Sequence, residues 1–138
     1  SNGAPQVQIY GPRDTQQRGG TIALNFLDPD GKAVDERVVD VRASMQRISL
    51  RTGCFCNPGA GEAAFSIAPH EIGGMFQRDV LPRYDDLLSA LGLQSGGAVR
   101  VSLGLATTFA DVYHFIEFAR SFQDSSPDAS AMPAREHC

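Results

Sequence analysis

The run Arg51-Thr52-Gly53-Cys54-Phe55-Cys56-Asn57-Pro58-Gly59 constrains the fold more than any other stretch of this chain. It follows a short apolar strand expected over Ile48 to Leu50, and its glycines mark it as a loop. Gly53 brackets that loop on one side. On the other, Asn57-Pro58-Gly59 predicts a reversal just beyond Cys56, because proline presets the first turn position and glycine tolerates positive φ at the next. The Cys56 thiol is then expected near a loop tip, where a thiol is more often chemical than structural.

Two of the three cysteines lie in this run, and Cys138 follows a polar stretch. An odd number does not make the framework of a small secreted domain, so reduced thiols are expected. A Cys-x-Cys pair is also half of a zinc site, with His70, His114 and Cys138 as conceivable further ligands. No second Cys/His pair has ligand spacing, and no metal is expected. Two half-buried structural cysteines are the plainer alternative. A length of 138 residues suits one domain with one core. The net charge of -4, with no basic cluster, argues against a nucleic-acid or membrane partner. No apolar run approaches the roughly 18 residues of a membrane span, and the amino end has no signal-peptide pattern, so a cytoplasmic protein is expected. Ser1-Asn2 reads as a cloning remnant, which predicts an excised piece.

Along the chain, Val7 to Tyr10 predicts a strand, and Thr21 to Leu27 predicts a second with Ile22, Leu24 and Phe26 on one face. Asp28-Pro29-Asp30-Gly31 reads as a turn. Val34, Val38, Val41 and Met45 then recur at helical spacing and predict one buried stripe. Pro69 opens a weaker helix with Ile72, Met75 and Phe76, and Pro82 precedes a better one carrying Tyr84, Leu87, Leu88 and Leu91, with Gly92 as its stop. Ala98 to Leu103 alternates so that Val99, Val101 and Leu103 face the core, and Arg100 with Ser102 faces away. Thr108 and Asp111 predict a capping box on a last helix whose Val112, Phe115, Ile116 and Ala119 face inward. Residues 1–122 are therefore expected as the domain, and 123–138 as a polar, mobile tail. The interleaving predicts an α+β fold, an α/β sandwich with one small sheet and helices mainly on one face.

The order Arg-Thr-Gly-Cys-Phe-Cys-Asn-Pro-Gly, then Gly97-Ala98-Val99-Arg100-Val101-Ser102-Leu103-Gly104, then Thr108-Phe109 opening the last helix, resembles the carboxy-terminal small domain of class V aminotransferase-fold enzymes. Within that family it is most similar to the cysteine desulfurase-like domain of molybdenum cofactor sulfurases, over roughly residues 7 to 120. Gly61 stands where those sulfurases usually show a further cysteine.

The resemblance implies roles residue by residue. Cys56 matches the catalytic cysteine that attacks substrate sulfur and holds it as a persulfide, which requires a thiolate such as neighbouring cations favour. Arg100 matches the arginine that grips the α-carboxylate of an amino-acid substrate, cysteine in a desulfurase. Arg51 matches an arginine lining the same site, with Gly53, Asn57, Pro58 and Gly59 shaping the loop around it. Pyridoxal phosphate is the implied cofactor of the full-length enzyme. Lys32, the only lysine, lies in a turn and does not suit a buried Schiff base, so no covalent cofactor is expected on this chain. The implied partners are a cofactor-binding large domain, a sulfur acceptor and a second copy in a full-length homodimer. Transamination or a lyase step with Cys56 a bystander, and a Cys-x-Cys metal or redox module, are the alternatives.

Overall fold

The computed structural model describes residues 3–68, 70 and 83–135. Four strands, β1 (Val7–Tyr10), β2 (Thr21–Phe26), β3 (Arg51–Cys54) and β4 (Gly97–Ser102), form an antiparallel sheet in the order β1-β2-β4-β3. Among the described residues the helices are α1 (Glu36–Met45), α2 (Pro58–Phe65), α3 (Tyr84–Ala90) and α4 (Phe109–Arg120). This is the small α+β domain that the interleaved periodicities predict.

Register decides which residues share a face, because directly opposed residues of an antiparallel pair point to the same side. Ile9 pairs with Leu24, Leu24 with Val99, and Val99 with Thr52, which aligns the apolar face. Against it sit Val39 and Ala43 of α1 and Phe118 and Phe122 at the end of α4. Phe26 and Phe122 stack at 4.4 Å, and Phe118 meets both rings edge-on. The opposite face carries Tyr10, Ala23, Arg100 and Arg51 in one cross-strand row. Tyr10 also contacts the Phe55 ring edge-on, and Phe55 in turn meets Phe65 of α2.

Several sequence expectations shift in place. The strand expected at Ile48 to Leu50 begins instead at Arg51, so the first half of the expected loop is strand. The reason lies in the exit of α1: Arg47 turns left-handed at φ 58, and Ile48 N–H closes back onto the Ala43 carbonyl at 2.9 Å. Those residues are committed to ending a helix before the ladder with β4 can start. Asn57-Pro58-Gly59 does not reverse the chain in a tight turn. Asn57 takes the N-cap position of α2 without a side-chain capping bond, and Pro58 takes the first turn, where a fixed φ and a missing N–H suit helix initiation. Gly59 is not among the positive-φ glycines.

The buried stripe of α1 is also displaced. Val34 precedes the helix, bonded through its N–H to the Phe26 carbonyl, while Glu36, Val38, Val39 and Ala43 are buried, leaving Val41 46% and Met45 80% exposed. Asp35 sets that phase by capping the helix through its side chain. On α4 the capping box of Thr108 and Asp111 is present, but Ile116 is exposed and the deepest residues are Phe118 and, just beyond the helix, Phe122. The inward row therefore runs Phe115, Phe118, Ala119, Phe122, one step around the helix from the expected one. The helix expected after Pro69 with Ile72, Met75 and Phe76, and the start at Pro82, lie outside the described residues. Residues 123–135 are not a free tail: the Arg135 side chain is 8% exposed and held by three carboxylates.

Candidate functional site

Arg51 stands directly opposite Arg100 across the β3–β4 pair, so two guanidinium groups share one side of the sheet. Both are exposed. Among the described residues neither forms an ion pair. Like charges directly opposed weaken a strand pair. An anion between them removes that penalty, and a planar guanidinium suits a carboxylate through two parallel N–H donors. Thr21 and Ser102, the next pair along the same face, add hydroxyls 3.1 Å apart.

Cys56 follows the end of β3 by two residues, with Phe55 between, and stands immediately before the Asn57 cap of α2. Its thiol is free and exposed. Phe55 is held against Tyr10 and Phe65, which fixes where the chain leaves the sheet. Cys54 behaves differently: it is disulfide-bonded, which corrects the expectation of reduced thiols at that position. The Tyr84 hydroxyl lies 3.4 Å from its sulfur. Burial, reinforced by the negative charge of Glu36, pushes the Tyr84 phenol above its ordinary pKa.

The end of β3 is seated on β4 by an unusually close backbone approach. Gly53 adopts φ +141, a conformation that side chains disfavour, and a Cβ placed on Gly97 would fall 2.8 Å from the Gly53 carbonyl group. Gly97 is fixed in turn by side chains. Asn25 donates to its carbonyl at 3.0 Å, and Ser95 Oγ accepts from its N–H at 3.3 Å. Ser95 donates to Glu36 at 2.6 Å. Asn25 Nδ2 also reaches the Tyr10 hydroxyl at 3.2 Å, whereas its buried Oδ1 has no partner among the described residues.

Glu36 belongs to a cluster closed by Arg135. The Arg135 guanidinium donates to Glu36 at 3.1 Å, to Asp85 at 2.8 Å and to Asp35 at 2.9 Å, and its backbone N–H donates to Asp85 at 2.9 Å. Burial opposes the Arg135 charge, but hydrogen bonds to Glu36 and Asp85 outweigh it and hold its pKa above the ordinary value. Asp35 shows the complementary behaviour: burial works to raise its pKa, and hydrogen bonds from Arg37 with the charge of Arg135 hold it down.

The structure thus brings Arg51 and Arg100 together and places the Cys56 thiol just beyond the strand that carries Arg51. Gly53 shapes that strand, while Asn57, Pro58 and Gly59 open the following helix. Sequence reasoning missed Tyr10, Asn25, Glu36, Ser95 and Arg135. Asp35-Glu36 ahead of an apolar helical segment was a visible capping signal, but its buried cation lies 99 and 100 positions away. Among the described residues no group of three His, Cys, Asp or Glu side chains is arranged to hold a metal ion, and no helix is long and apolar enough to cross a membrane. Lys32 is exposed beside the Asp28–Gly31 turn, and this does not fit a Schiff-base lysine shielded from water.

Comparison with known proteins gives one consistent answer. The chain is 35% identical over 136 residues to molybdenum cofactor sulfurase of Bos taurus, covering 96% of this chain and 15% of that protein. It is 37% identical over 125 residues to molybdenum cofactor sulfurase of Drosophila mojavensis, covering 87% and 16%. The match to molybdenum cofactor sulfurase of Arabidopsis thaliana is 34% over 130 residues, covering 91% and 16%. The chain therefore spans about a sixth of the length of these relatives. No family model and no solved structure matches it.

Proposed function

We propose, from the homology of this chain to one segment of the molybdenum cofactor sulfurases, that it is the small domain of a sulfur-transferring enzyme in which Cys56 receives the sulfur. The observation that carries this reading is the free, exposed Cys56 thiol beyond a strand whose Arg51 faces Arg100, with no carboxylate paired to either among the described residues. Arg100 holds the α-carboxylate of a cysteine substrate through two parallel donors, and Arg51 supplies a second positive charge to the same group. Cys56 attacks as the thiolate. A sulfur–sulfur bond forms, the carbon–sulfur bond of the substrate breaks, and the carbon that keeps the electron pair takes a proton to give alanine.

The departing electron pair requires an electron sink, the chemistry that pyridoxal phosphate supplies in the full-length enzyme. The residues of this chain do not supply a buried lysine for it, so that role falls to a separate cofactor-binding domain. The sulfur then passes from Cys56 to an acceptor. The setting is cytoplasmic and the full-length enzyme is a homodimer in this reading.

The test is sulfur-labelled cysteine supplied to the full-length protein, with mass spectrometry of the Cys56 peptide. A labelled persulfide on Cys56, absent in Cys56→Ala, is the expected result; unchanged sulfur release by Cys56→Ala would refute it. One observation favours a redox module instead: Cys54 is disulfide-bonded while Cys56 is not. That reading predicts a free-thiol count that changes reversibly with reductant and no label on Cys56.

A further inference from the structure

We propose that Arg135 is a positioning residue for Cys56: it straps residues 123–135 onto the carboxylate cluster and so fixes the end of β3 from which the thiol departs. The inference rests on the sulfur-transfer reading for its purpose, but its geometry stands apart from that reading.

The connection can be followed atom by atom. Arg135 forms ion pairs with Asp35 and Glu36 at the start of α1 and with Asp85 in the first turn of α3. Asp35 and Glu36 are both buried, and a buried carboxylate stripped of its cation is strongly unfavourable. Glu36 accepts from Ser95, and Ser95 Oγ contacts both the N–H and the carbonyl of Gly97. Gly97 pairs with Cys54, and its α-carbon is packed so tightly that a Cβ would meet Gly53 at 2.8 Å and the Glu36 carboxyl carbon at 3.3 Å. The path from Arg135 through Glu36 and Ser95 to Gly97 thus consists of hydrogen bonds, Gly97 pairs with Cys54 at the end of β3, and Cys56 lies two residues on. Arg37 adds a second tie, donating to Asp35 and to the Pro133 carbonyl of the same strap.

The prediction is local. In the full 138-residue chain, Arg135→Gln should speed amide exchange over residues 51–54 and 97–98 by roughly tenfold, the order expected for lost hydrogen bonds to charged groups, while β1 and the β2 residues paired with it exchange as before. Alkylation of Cys56 by iodoacetamide, followed on its own peptide, should change by several-fold. Ser95→Ala cuts the same path without touching the strap and should reproduce the local loosening, so the inference stays testable even if Arg135→Gln does not fold. Arg135→Lys, which keeps the charge but not the fork, should recover only part of the protection. Uniform loosening of all four strands, or Ser95→Ala with unaltered exchange and alkylation, would overturn the proposal. Neither readout requires a persulfide, so absence of label on Cys56 would count against the sulfur-transfer reading alone.

Discussion

Replacing Arg51 with glutamine should make this chain slightly more stable, an outcome opposite to most substitutions in a strand. Arg51 and Arg100 are directly opposed, exposed and without acidic partners among the described residues. Two unit charges held only as far apart as directly opposed side-chain roots, about 5 Å, repel in water by about 0.8 kcal/mol, an upper figure for long side chains that can splay apart. A Debye length of about 8 Å roughly halves that at physiological ionic strength, and one of about 3 Å in molar salt leaves about 0.15 kcal/mol. Arg51→Gln should therefore gain up to about 0.4 kcal/mol at physiological salt, more at low salt and almost nothing in molar salt. Urea unfolding of both chains across a salt series measures the difference directly. A loss of stability at low salt, or a difference that ignores salt, would show that the two guanidiniums do not repel and would remove the case for an anion between them.

Other expectations follow from the same contacts. Phe122→Ala should cost about 3–5 kcal/mol in urea unfolding, since its ring is fully buried and stacked on Phe26; Ile116→Ala on the same segment should stay within about 0.5 kcal/mol. Gly97→Ala should cost about 1–3 kcal/mol by overpacking, because the nearest neighbour of the added methyl is backbone of Gly53 that cannot rotate away, and thermal unfolding will register it. Asp35 is held below the ordinary carboxylate value of 3.8. Its contribution is thus complete above that value and lost as pH falls through the folded one, so stability should drop in acid below about pH 4. Asp35→Asn, which keeps a capping side chain, should flatten that acid limb in denaturation curves taken from pH 5 to pH 2.

Much of the sheet was legible because its signals are local. The alternation at Ile22, Leu24 and Phe26 and at Val99 and Val101 needs no knowledge of partners, and the Thr108–Asp111 box is written within four residues. Phase was harder. Val41 and Met45 fit an apolar stripe as well as Val39 and Ala43 do, and only the Asp35 cap and the sheet beneath decide between them. The motif around Cys56 was legible as chemistry but not as shape, because glycine and proline punctuate a strand end and a helix start as readily as a turn. Arg51 and Arg100 could be named separately, yet their juxtaposition depends on a register no single strand encodes. Arg135 was invisible for a stronger reason: a lone arginine in a Ser/Pro/Ala-rich stretch has no local pattern, and its partners lie up to 100 positions away.

That distance has a consequence for how the chain acquires its form. A polypeptide emerging amino end first exposes Asp35 and Glu36 long before Arg135 is made, so until then both carboxylates lack its guanidinium. Closing that span of 99 or 100 positions costs little more than closing the 81 between Thr21 and Ser102 of the β2–β4 pair, because loop entropy grows only logarithmically with length. The seat of α1 beside β3 is therefore complete only once the Arg135 guanidinium has reached these two carboxylates.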